Sequence, residues 1–143
     1  MKDKLLSKQG WVILLICIIS FFINNRVVVP DIMEARNMVT AREMVHDGNW
    51  LVPTMNGDLR LEKPPLPTWL TAVAEMISPD NLALQRAMAG FAAILLVAFF
   101  YLTAVQVMRN KRYAFISTIL LCTCYNIILM GRTASWDIYC HAF

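Results

Sequence analysis

The side chains able to do chemistry are gathered into one polar stretch, Asp31 to Pro65, set in a strongly apolar chain. It carries six acids (Asp31, Glu34, Glu43, Asp47, Asp58, Glu62), four bases (Arg36, Arg42, Arg60, Lys63) and His46. Carboxylates beside a lysine and several arginines suit a substrate that bears a phosphate. Lys63, with Arg36, Arg60 or the later Arg132, would hold that phosphate by charge-assisted hydrogen bonds. A carboxylate would act as general base on an acceptor hydroxyl. Basic groups or a divalent metal ion would stabilise the charge that develops on a leaving phosphate. Composition does not establish this reaction; it supplies the parts on one stretch.

Those parts need a frame, and the rest of the chain describes it. Of 143 residues, 58% are hydrophobic and 16% charged, against about 25% charged in an ordinary soluble domain. The apolar residues fall in long blocks, as membrane helices require. A net charge of +3 is too small to point to nucleic acid, and its placement along the chain matters more than its size. Cys17, Cys122 and Cys124 sit inside apolar runs and Cys140 near the end, so all four are expected to be small buried hydrophobes, neither bridged nor metal-bound.

The fold expected is all-α: a polytopic membrane protein with three transmembrane helices, plus juxtamembrane helices in the first external loop. Residues 1–29 form an N-terminal anchor, with Lys2, Lys4 and Lys8 ahead of the run Trp11–Ile23 and no small-residue cleavage site after it. Residues 30–80 form the external loop. In it, Asp31 is placed to cap a helix, with Glu34 completing a capping box, and Gly48 to end it after Asp47. Asn49 to Lys63 reads as a loop. Pro64 to Ser78 reads as an amphipathic helix in the interface, with Leu66, Trp69, Leu70, Val73 and Ile77 on one face and Thr68, Thr71 and Glu75 on the other. Residues 81–143 supply two more spans, Ala87–Met108 and Tyr113–Gly131, and the start of a second external loop, Arg132 to Asp137.

Charge placement orients the whole. The cluster Arg109-Asn110-Lys111-Arg112 should be cytoplasmic, like the N-terminal lysines. Two crossings must then separate them, so the anchor and Ala87–Met108 cross and Pro64–Ser78 does not. Asp31–Pro65 and Arg132–Asp137 therefore meet at the periplasmic or external face of the inner (plasma) membrane.

Several residues in that order resemble a known family. They are Glu34-x-Arg36, Arg42-Glu43-Met44, Gly48-x-Trp50-x-x-Pro53, Asn56-Gly57 and Glu62-Lys63-Pro64-Pro65-Leu66-x-x-Trp69-Leu70, followed by Arg132…Asp137. The set resembles the external loops of the GT-C membrane glycosyltransferases, among them the dolichyl-phosphate-mannose protein mannosyltransferases and the aminoarabinose lipid A transferases. The resemblance implies transfer of a sugar from a polyprenyl-phosphate-linked donor to a lipid, glycan or protein acceptor. It gives Glu34 and Asp137 catalytic or metal-site roles and Lys63 the donor phosphate, beside which the charge pattern places Arg36 and Arg132. Where the family often has an aspartate the chain has Met33, so either Glu34 takes that role or Asp31, one turn away, supplies it. The match would cover only the N-terminal quarter or so of such an enzyme. These residues alone are expected to be inactive.

Each candidate also has a structural explanation. Asp31 and Glu34 can simply cap a helix, Lys63 can snorkel from the interface, and Asp137 can mark a helix boundary. Arg42 and His46 are expected to be surface residues. The competing functions are a non-catalytic assembly subunit whose polar loop docks a partner, and a transporter fragment; scarce intramembrane charge weighs against the last.

Overall fold

A computed structural model of the protein describes residues 8–142; Lys2 and Lys4 of the N-terminal basic run lie outside them. The chain is mainly helical. In order it forms α1 (Lys8–Phe22), α2 (Ile32–Asp47), a hairpin of β1 (Thr54–Met55) and β2 (Asp58–Leu59), α3 (Pro65–Ile77), α4 (Leu82–Met108), α5 (Lys111–Cys122), α6 (Tyr125–Gly131) and α7 (Asp137–Ala142).

The hairpin corrects the purely helical expectation. Thr54 pairs with Leu59 and Met55 with Asp58. Asn56 and Gly57 connect them with φ of 55° and 83°, the two left-handed positions that a tight hairpin turn needs and that Asn-Gly supplies. Glu43 of α2 anchors the turn, accepting hydrogen bonds from Thr54 Oγ1 (2.8 Å) and Asn56 N (2.5 Å).

The membrane-facing part is less regular than three straight spans. Among the described residues α4 alone is long and apolar enough to cross a bilayer by itself. Its 27 residues reach about 40 Å at 1.5 Å per residue. The run expected as a third span is two helices, α5 and α6, bent by 63°. The break falls at Thr123-Cys124. There Thr123 Oγ1 bonds back to the carbonyls of Ile119 and Leu120, a local alternative to continued helix. The anchor α1 is 15 residues long, shorter than the roughly 20 that cross unaided.

These helices share one apolar core of Ile13, Cys17, Phe21, Ala89, Ala92, Ala93, Val97, Cys122, Ile138 and Tyr139. Cys17 and Cys122 behave as the expected small hydrophobes, buried with their sulfurs 3.8 Å apart. Cys124 and Cys140 do not: the first sits at the exposed break and the second on the outer side of α7. Small residues let the helices approach. A Cβ on Gly131 would lie 2.7 Å from Phe21 Cδ1 and 3.0 Å from Ala93 Cβ. Gly131→Ala should therefore lower stability by about 1–3 kcal/mol through overpacking. Thermal unfolding in detergent checks this, and Phe21→Leu in the same chain should restore most of the loss.

The loop helices pack on the outer end of this bundle. α3 lies against both α2 and α4. Its orientation is the reverse of what the amphipathic pattern implies for a water-soluble protein. The polar face is inside: Thr68, Thr71 and Glu75 are buried, whereas Leu66, Val73, Met76 and Ile77 are exposed. Glu75 tolerates burial because Gln85 Nε2 (2.5 Å) and Asp80 N (3.1 Å) donate to it and Arg42 stands 3.7 Å away.

Candidate functional site

The site is built where the first polar loop meets the segment 132–137. Asp31 caps α2 as expected, its Oδ1 accepting from Glu34 N at 2.7 Å. The second half of the capping box does not form. The Glu34 side chain turns inward instead, fully buried, and pairs with Arg86 of α4: Nε to Oε1 and Nη2 to Oε2, each at 2.7 Å. Oε1 also accepts from Ala134 N at 2.9 Å. Arg86, 1% exposed, donates in addition to the Asn25 carbonyl. One carboxylate thus ties α2, α4 and the second loop together.

Asn37, one turn further along α2 and also fully buried, makes a parallel tie. Its Nδ2 donates to Ala134 O (2.8 Å) and Thr71 Oγ1 (3.0 Å), and its Oδ1 accepts from Thr68 Oγ1 (2.8 Å). The inward polar face of α3 is explained by this residue: its threonines complete the hydrogen bonding of a buried amide that Ala134 satisfies only in part.

A third junction centres on Trp136, which is 5% exposed. The Arg60 guanidinium lies 4.9 Å and the Lys63 ammonium 5.3 Å from its ring centroid, both within cation–π range. Arg60 is itself fixed, donating from Nη1 to the Arg36 carbonyl (2.6 Å) and Thr40 Oγ1 (2.7 Å). Burial, then the neighbouring Arg36 charge, lowers its pKa, with Glu62 opposing.

The sequence-derived candidates divide as follows. Lys63 reaches Trp136, the residue just before Asp137. Asp137 opens α7, is exposed, and has no hydrogen bond or ion pair among the described residues. Arg36 is exposed and lines a cleft of about 210 Å³ with Arg60, Asp58 and Glu62. Arg132 is elsewhere. It donates to the Ile23 carbonyl and lines a separate cavity of about 160 Å³ with Asn25, Arg86 and Leu129. Asp31 stays at the surface as a cap. Glu34 has its oxygens engaged by Arg86 and Ala134, an arrangement that positions loops and offers an acceptor hydroxyl no access. His46 is exposed beside Asp47, 2.7 Å away, whose carboxylate raises the imidazole pKa.

Arg86, Asn37 and Trp136 were not identified from the sequence. The span expected from the sequence begins at Ala87, just after Arg86. Helix α4 starts at Leu82, so Arg86 lies one turn inside it, where an arginine needs a partner. For Asn37 and Trp136 the sequence carries no comparable signal.

A metal ion does not fit the described residues by themselves. No three histidine, cysteine or acidic side chains among them converge, and the oxygens of Glu34 are already engaged.

Comparison with known proteins agrees with this architecture. Residues 10–143 match the family described as dolichyl-phosphate-mannose-protein mannosyltransferase. Undecaprenyl phosphate-alpha-4-amino-4-deoxy-L-arabinose arabinosyl transferases are similar. That of Pseudomonas savastanoi is 34% identical over 92 residues, covering 64% of this chain and 17% of the relative. That of Shewanella sediminis is 31% identical over 108 residues, covering 76% and 19%. The chain thus spans about a fifth of the length of these relatives. Among solved structures, ArnT from Cupriavidus metallidurans, crystallised with undecaprenyl phosphate, superposes with a TM-score of 0.75 over 93% of this chain and 25% of its own, at 21% identity. With a family match over nearly its whole length and the same fold in a solved relative, the chain belongs to the dolichyl-phosphate-mannose-protein mannosyltransferase family of GT-C membrane glycosyltransferases.

Proposed function

We propose that the protein carrying this chain transfers a sugar from a polyprenyl-phosphate-linked donor to a lipid, glycan or protein acceptor at the outer face of the inner membrane. Family membership supports the reaction class, and one observation carries the placement of the site. Two polar segments a hundred residues apart meet at a single face, through Glu34 to Ala134 and through Lys63 to Trp136. In this reading α1, α4 and the bent pair α5–α6 each cross the bilayer. The N-terminus and the 109–112 cluster are cytoplasmic, and α2, the hairpin and α3 lie outside.

Lys63 binds the donor phosphate, with Arg36 on the neighbouring cleft that Arg60 and Glu62 line; Arg132, bonded to the Ile23 carbonyl beside a separate cavity, stands apart from that contact. Asp137, exposed and unpaired, is the acid of the second loop free to take a proton from the acceptor hydroxyl. Of the two first-loop acids that the resemblance offers for catalysis, Asp31 is exposed and Glu34 is buried. Glu34 acts by holding the two loops at the right separation. The described residues do not by themselves form a metal site, so no step is assigned to one.

Lys63→Met, in the protein expressed with whatever flanks these residues in its gene, tests the assignment. The apparent affinity for a polyprenyl-phosphate sugar should fall by roughly tenfold or more, the worth of one charge-assisted contact, while membrane insertion stays normal. Unchanged transfer with loss of a co-purifying partner would favour an assembly subunit instead.

A further inference from the structure

The Lys63 ammonium, read above as a phosphate ligand, already has a place in the fold. It stands 5.3 Å over the Trp136 ring and has no hydrogen bond or carboxylate partner among the described residues. The ring is held by its faces. Its Nε1 is buried and makes no hydrogen bond among the described residues, whereas Arg60, tied to α2 through the Arg36 carbonyl and Thr40, stacks on the same indole. Of the two cations on Trp136, one is therefore fixed and the other is restrained only by the ring.

We propose that Trp136 is a positioning residue for the donor phosphate: buttressed by Arg60, its indole face holds the Lys63 ammonium aimed at the site, and keeps that contact when the phosphate binds. A lysine on a four-carbon stem otherwise loses considerable rotamer freedom on binding. An aromatic face restrains the ammonium without neutralising it, as a carboxylate partner would. The three N–H groups of the ammonium remain available to phosphate oxygens. This inference rests on the reading of Lys63 as a phosphate ligand.

The test measures binding of a polyprenyl phosphate without its sugar, and of the matching prenol without its phosphate, to the full protein in detergent micelles. Tryptophan is replaced biosynthetically by mono- to tetrafluorinated analogues, which drain charge from the ring face while nearly keeping its shape. Affinity for the phosphate should fall stepwise with fluorination, by roughly threefold to thirtyfold in total, and prenol binding should not change. The same series in Trp136→Phe controls for Trp11, Trp50 and Trp69 and should show no trend. Trp136→Leu should match the most fluorinated protein. If the unmodified protein binds the phosphate but fluorination has no effect or tightens binding, Trp136 merely packs and the inference fails. If the unmodified protein prefers no phosphate at all, the phosphate reading of Lys63 fails first and takes the inference with it.

Discussion

Glu34→Gln should cost about 3–5 kcal/mol of stability, because it strands the Arg86 charge at 1% exposure. The amide would offer N–H where Arg86 already donates, so one of the two 2.7 Å contacts becomes a donor facing a donor. The Ala134 N–H could still bond the amide oxygen, but the joint between α2, α4 and the second loop would open. Thermal unfolding in detergent should register a large drop, and protease should cut earlier near residues 132–136. Adding Arg86→Met should recover part of the loss, since removing both charges is far cheaper than removing one. The opposite pattern is equally legible. Full stability with transfer abolished would make Glu34 the base and leave its ion pair incidental.

Asp137→Asn should do the reverse: stability near that of the unmodified protein, with the single-turnover rate of transfer lower by about 10²–10⁴-fold, the range for a lost general base. Asp137 is exposed and holds nothing else together among the described residues, so the change removes a proton acceptor and little besides. A rate within threefold of the unmodified protein would take Asp137 out of the chemistry. Measured as a pair, the two variants separate the acid that builds the site from the acid that works in it.

Much of this arrangement was legible in residue types, and the exceptions share a cause. The α2 limits at Asp31 and Gly48, and the start of α3 at the prolines, follow from local chemistry. The Asn56-Gly57 turn was recognised as a turn, but two-residue strands are too short to leave an alternating pattern. That Asp31–Pro65 and Arg132–Asp137 lie close was expected from counting crossings, an argument about sidedness that names no contact; the contact of Lys63 with Trp136 was not. What escaped were partnerships over long sequence distances. Glu34 looked like a capping-box acid because its local environment favours that role; a guanidinium 52 residues away competes better. Which face of α3 turns to the protein was left open by the pattern for a related reason. Periodicity reports that two faces differ, and the surroundings decide which is buried; here Asn37 demands the polar one. The bend at Thr123-Cys124 was hidden because both halves of the run are equally apolar.

The outward row of Leu66, Val73, Met76 and Ile77 on α3 gives the site a property that no hydrogen bond supplies. In the membrane placement proposed above, with grease turned to the surroundings and threonines turned to the protein, α3 would float like a keel at whatever depth the hydrocarbon boundary sets. Through Asn37 it would carry the second loop at the same level. The working height of the proposed site would then be fixed by the lipid as much as by the polypeptide, and a thinner or thicker bilayer would raise or lower the whole platform against its substrates.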